Sequence, residues 1–156
     1  PSVSRSIIED IVLFAAHREA IGDEDAFFFS YVTEDDLKLW NVSLDEVFSM
    51  CYQNFSRQNF GGTQIEGDGG DLMILDQPGA CSASVVGFAE CLLWFSDLGK
   101  SLIVGLPSRD RVMITNRWSN MAKDLPGAIN KFYERDDHPL SRSIYLWTTE
   151  GLKSLI

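Results

Sequence analysis

The tetrapeptide Pro107-Ser108-Arg109-Asp110 sets a hydroxyl, a guanidinium and a carboxylate in consecutive positions between two apolar runs, "SLIVGL" and "RVMIT". An arginine in such a place can hold a carboxylate or a phosphate, and a neighbouring aspartate can orient it. Loops at strand ends are where functional side chains concentrate. The same residue types are also ordinary turn chemistry, closing a loop through side-chain hydrogen bonds, and this is the favoured reading. The alternative is a small hydrolase or ligand-binding enzyme built on Ser108, Arg109 and Asp110, with His138 as its base.

A second candidate is the start of "ACSASVVGFAECLLWFSDLG", where Cys81, Ser82 and Ser84 precede a long apolar stretch. A helix N-terminus there would lower the Cys81 thiol pKa. A nucleophile also needs a base, and His138 is the one candidate in that half, with no spacing that brings it near. No GxSxG elbow is present, so a capped helix with a buried cysteine is the simpler account. "EGDGGD" offers Glu66, Asp68 and Asp71 to a hard cation, but its spacing is not that of an EF-hand. It also lacks the lysine and hydroxyl residue of a phosphate-binding loop. Cys51, Cys81 and Cys91 are odd in number and sit in apolar surroundings without a CxxC pair. Free, buried thiols are expected, with no disulfide, metal or cofactor. His17, between Ala16 and Arg18, reads as a surface polar residue.

Charge supplies the third candidate. The formal net charge is −10. Residues 1–76 hold 15 acids and 4 bases, a net of −11, whereas residues 77–156 hold 8 acids and 9 bases, a net of +1. Such a negative half repels phosphate backbones, which argues against nucleic acid. It attracts a basic protein and speeds the encounter. The acids cluster around aromatics in "DEDAFFFSYVTEDD". The expected partner-binding residues are Asp23, Glu24, Asp25, Glu34, Asp35 and Asp36, with Phe28 or Trp40 as a desolvated anchor.

The elements that carry these groups follow from periodicity. "SVSRSIIEDIVLFAAHREAIG" has apolar residues at three- and four-residue intervals and predicts a helix. "AFFFSYV" predicts a strand with Phe27, Phe29 and Tyr31 on its core face. Thr33 with Asp36, and Ser43 with Glu46, are capping-box pairs that open two helices, and Asn41 ends the first. Leu44, Val47, Phe48, Cys51, Tyr52 and Phe55 form the apolar stripe of the second. Strands are expected at residues 63–66 and at "LMILD", then a buried helix over residues 81–99. "SLIVGLP" and "RVMITN" predict a hairpin. A helix broken near Pro126 and Gly127, a strand "SIYLW" and a short terminal helix complete the chain.

Three of these stretches resemble one family. "YVTEDDLKLWNVSLDEVFSMCYQNF", "SLIVGLPSRDRVMIT" and "HPLSRSIYLW" are similar to segments of the DUF1444, or YtpQ-like, family of uncharacterised bacterial proteins. The resemblance runs with gaps from Tyr31 to Trp147, and its most specific element is the turn Pro107–Asp110. Asn41 stands where the family tends to have glycine, and "ACSASV" departs from the family's Asp-Ala-Ser helix start. The resemblance implies a cytoplasmic α+β domain and assigns no catalytic residue.

With 156 residues the chain is long enough for one domain with a core, and residues 1–156 are expected to form a single globular domain. Hairpins mixed with helices, without regular β-α-β alternation, predict an α+β fold. Its antiparallel sheet should have helices packed mainly on one face. No apolar run is long enough for a bilayer, and Glu9 and Asp10 interrupt the first one, so no membrane association is expected. A start at Pro1 fits a cytoplasmic chain trimmed of its initiator methionine. The functional expectation is a non-catalytic acidic protein that binds a basic protein partner, as toxin-immunity proteins do.

Overall fold

A computed structural model describes residues 2–8, 11–20, 27–57, 62–65, 71–77 and 81–155. The chain divides into two compact units, Pro1–Asn59 and Phe60–Ile156.

Among the described residues, the first unit holds two antiparallel strand pairs and two helices. Strands β1 (Ser4–Ile8) and β2 (Ile11–Phe14) pair, as do β3 (Ala16–Ala20) and β4 (Phe27–Tyr31). The helix expected over the first twenty residues is therefore replaced by strands. The reason is visible in the register. Ile8 pairs directly with Ile11, so an apolar i, i+3 spacing also fits antiparallel strands. The β-branched run Ile7, Ile8, Ile11, Val12 then favours the extended form. Backbone hydrogen bonds from Val3 to Val32 (2.7 Å), from Ala15 to Val3 (3.1 Å) and from Val32 to Ala15 (2.9 Å) tie the strand pairs together.

Helices α1 (Glu34–Trp40) and α2 (Leu44–Ser56) begin at the expected caps. Thr33 and Ser43 each accept from the N3 backbone, while Asp36 and Glu46 accept from the cap backbone in return. Asn41 takes the left-handed conformation (φ 53°) that ends α1. Val3, Ala15, Val32, Val47 and Phe48 form the core of this unit, with Leu37, Val42 and Cys51 packed against it. Tyr31, expected in a core, is exposed and stacks at a tilt on Phe14, with ring centroids 5.5 Å apart. The side chains of Phe27–Phe29 lie outside the described part of the structure.

The second unit is built on a six-stranded antiparallel sheet of order β10-β9-β7-β8-β6-β5. Its strands are β5 (Gly62–Ile65), β6 (Leu72–Asp76), β7 (Leu102–Ser108), β8 (Arg111–Asn116), β9 (Ile144–Thr148) and β10 (Gly151–Leu155). Together with the helices this gives the expected α+β class. The β7–β8 hairpin is present, and all seven residues of β7 are buried. Helix α3 (Met121–Tyr133) packs on one face, with Leu125 and Ile129 against Leu72, Ile103 and Met113. It runs through Pro126 without the expected break. The terminal helix is replaced by β10, which turns back at Gly151 (φ 110°) and pairs with β9.

Alternation sends Leu102, Val104, Leu106, Val112, Ile114, Tyr145, Trp147 and Leu152 to the opposite face, and all are buried. Two 3-10 segments, Ser82–Gly87 and Ala89–Leu98, lie against β8, β9 and β10 in place of the expected α-helix. The buried residues there are Ser82, Val85, Val86, Phe88, Cys91 and Phe95. Ser82 and Val85 share a face of the first segment, as i and i+3 do in a 3-10 helix. Phe88 is extended (φ −122°) and divides the two segments. Among the described residues, no helix is long and apolar enough to cross a membrane.

Candidate functional site

The Pro107–Asp110 turn closes the β7–β8 hairpin, and Asp110 is its organising group. Its Oδ1 accepts from the Cys81 backbone N–H (3.0 Å) and from Arg109 Nε (3.2 Å). Its Oδ2 accepts from Arg109 Nη2 (3.0 Å). The Arg109 guanidinium is thus folded onto its own neighbour, and the Asp110 hydrogen bonds raise the arginine's pKa further. Ala83 N–H donates to Arg109 O (3.0 Å) and Gln77 N–H to Asp110 O (3.3 Å), so the turn is sewn to the chain before and within the first 3-10 segment.

The expected base comes close, but only through its backbone. Arg109 N–H donates to His138 O at 3.0 Å, and Ser108 forms a bridge with Pro139. His138 itself is exposed. Arg111 completes this pole of the sheet. It donates to Asp76 (2.6 Å), stands 3.9 Å from Asp136 and lies 4.1 Å over the Phe132 ring. The hydroxyls of Ser82 and Ser108 are buried without a hydrogen-bond partner among the described residues. Sequence reasoning missed Asp76 and Asp136, since only strand pairing and the end of α3 bring them to the turn.

The thiol does not behave as a helix N-terminus would make it. Cys81 is left-handed (φ 52°), ahead of a 3-10 segment. Burial pushes its pKa up, against a smaller lowering by Arg109. Burial also raises Cys51 and takes Cys91 to about 12. At neutral pH the native chain should therefore alkylate slowly with iodoacetamide, Cys91 last, and all three thiols should react at once in denaturant. Mass spectrometry of timed samples reads this directly. Prompt labelling of Cys81 in the native state would show an activated thiol. Among the described residues, no group of three or more His, Cys, Asp or Glu is placed to hold a metal ion. Of the "EGDGGD" acids, Glu66 and Asp68 lie outside the described residues; Asp71 accepts from Gln64 at 2.6 Å.

The second candidate is the corner where α1 meets α2. Leu39 is 79% exposed, Trp40 46% and Leu44 41%. Leu44, expected in the buried stripe of α2, sits at its first position and stays outside the core. Acidic first turns stand on both sides: Glu34, Asp35 and Asp36 in α1, Asp45 and Glu46 in α2. Asp36 and Glu46 are engaged in the caps, and Ser43 backbone and hydroxyl hydrogen bonds hold Glu46 below the usual glutamate pKa. Asp35 meets Lys38 Nζ at 2.8 Å, and Asp45 meets Arg5 Nη2 at 3.0 Å. Those two carboxylates are about nine-tenths exposed (88% and 91%). Of the residues expected to bind a partner, Glu34, Asp35, Asp36 and Trp40 are brought together here. Asp23, Glu24, Asp25 and the Phe28 side chain lie outside the described residues. Leu39 and Asp45 were not singled out from sequence, and Leu44 was assigned to the buried stripe of α2 because Val47 and Phe48 follow it three and four positions later.

No family model, curated protein or solved structure matches the chain. The likeness to the DUF1444 family therefore rests on its three quoted motifs.

Proposed function

We propose that the chain is a non-catalytic acidic interaction protein whose α1–α2 corner docks a basic protein partner, the role an immunity protein plays against a basic toxin. The observation that carries this reading is the juxtaposition of exposed Leu39, Trp40 and Leu44 with the flanking acids Glu34, Asp35 and Asp45. Large apolar side chains left in water offer a partner an anchor, and the surrounding charge chooses its sign. The whole first unit points the same way, with eleven acids against four bases, a net of −7, compared with twelve against nine, a net of −3, in the second.

The enzyme reading draws less support. Arg109, which would hold an anionic substrate, is neutralised by Asp110, and Ser108 is fully buried.

The test is a titration of the intact chain with a short arginine-rich peptide carrying a central Trp-Leu pair, at low and high salt. Binding should weaken by about tenfold or more as salt screens the exposed acids. Replacing Leu39→Ser and Trp40→Ala together should weaken it by a similar factor or more, the loss expected on removing a central anchor. Absence of binding at low salt, or binding indifferent to both salt and the double substitution, would overturn the proposal.

A further inference from the structure

The two docking acids at the α1–α2 corner already carry cations of the chain's own. Lys38 pairs with Asp35 three residues away in the same helix, and Arg5 reaches Asp45 from strand β1. Neither acid contributes to a cap, in contrast to Asp36 and Glu46. Their ion pairs are held in water, where such contacts are weak and exchange freely. Arg5 in addition holds its guanidinium over the Phe48 ring, 4.5 Å from the centroid, whereas Lys38 has its side chain 74% exposed.

From this we infer that Lys38 is a built-in competitor at the binding corner. It occupies Asp35 in the free protein and is displaced by a guanidinium of the partner. The inference rests on the docking reading above and makes it more specific. The partner is a basic segment that brings an arginine to Asp35 next to an apolar side chain that covers Leu39. Arginine suits this exchange better than lysine, because its planar fork makes two parallel bonds to one carboxylate. An internal lysine at the same acid lowers affinity for any cation, and so discriminates against partners that present only a lone positive charge.

The second unit contains a matched control. Lys153 pairs with Glu150 at 2.7 Å, also three residues apart and also exposed, and belongs to a different unit from Lys38. Lys38→Gln and Lys153→Gln change net charge equally. The arginine-rich peptide with a central Trp-Leu pair is titrated into the intact wild-type chain and each variant, with fluorescence anisotropy as the readout. Lys38→Gln should tighten binding about two- to fivefold, the range set by one exposed ion pair, and Lys153→Gln should leave it nearly unchanged. A version with every arginine replaced by lysine should gain less from Lys38→Gln than the arginine peptide does. Equal tightening by both variants would show general charge attraction and overturn the competitor role, while leaving the docking corner intact. Weaker binding by Lys38→Gln would overturn it as well. Failure of the peptide to bind any of the three proteins would overturn both readings together.

Discussion

Gly105→Ala is expected to destabilise the sheet unit by about 2–3 kcal/mol. Gly105 lies in the middle of β7, where it pairs with Met113 and Ile144. No turn or left-handed conformation demands glycine there; the demand comes from α3. A Cβ at this position would stand 2.3 Å from Ile129 Cδ1 and 2.6 Å from Ile129 Cγ1. Ile129 is fully buried, so its side chain has nowhere simple to move. The helix must lift from the sheet or the isoleucine must leave its rotamer. Ile129→Ala alone should also destabilise, by about 2–4 kcal/mol, through the cavity it leaves. In the double variant the new methyl group fills part of that cavity. The two losses should therefore fall short of additivity by at least about 1 kcal/mol. Urea unfolding of the four proteins, followed by far-UV circular dichroism, closes the cycle. Additive losses would mean that Gly105 is needed for another reason.

The parts of the fold that were legible from sequence are those where one local signal had a single meaning. The capping boxes at Thr33 and Ser43, the left-handed stop at Asn41 and the strand-turn-strand around Pro107–Asp110 are all of this kind. What was misread carried a signal with two meanings. Apolar spacing of three residues marks a helix face, but it also fits two residues paired across antiparallel strands, as Ile8 and Ile11 are. The run from Ser82 to Leu98 is another case, since burial at both three- and four-residue steps fits an α-helix and a 3-10 helix alike. The final segment "TTEGLKSLI" was too short to separate a helical turn from a strand until β9 was there to pair with it. Tertiary pairing decided each case, and periodicity alone does not contain it.

The candidate sites divide in the same way. Asp110 and Arg109 are adjacent in sequence, so their pairing was readable, and it proved to be a structural clasp on Cys81 and Ala83. The acidic corner was readable as charge. Of its apolar residues Trp40 was named as an anchor from sequence, but Leu39 and Leu44 were not, because a leucine in a helix is assigned to the core by default, and both stay in water. The burial of Leu37, Val42, Val47 and Phe48 shows why: the core takes one flank of the α1–α2 corner and leaves the other unpartnered among the described residues. Function at this surface depends on that choice of flank, which only the packed unit displays.

Trp147 separates packing from hydrogen bonding on the other side of the sheet. Its ring is 2% exposed and packs 5.8 Å from Phe95, centroid to centroid. Its cross-strand neighbours, Leu102 and Leu152, are buried too. Trp147→Ala removes the largest side chain on this face and should cost about 3–5 kcal/mol. The indole N–H, however, is buried with no hydrogen-bond partner among the described residues. An unpaired buried donor costs about 1–3 kcal/mol of desolvation, and phenylalanine does not carry it. Trp147→Phe loses contact area and gains back that penalty, so its stability should lie within about 1 kcal/mol of the wild type. The comparison is made by denaturant unfolding with m-values checked for constancy, so that both variants refer to the same unfolded state. If phenylalanine proves as damaging as alanine, the N–H is satisfied in solution. The 3-10 segments would then be held to the sheet by a polar contact as well as by the apolar face they cover.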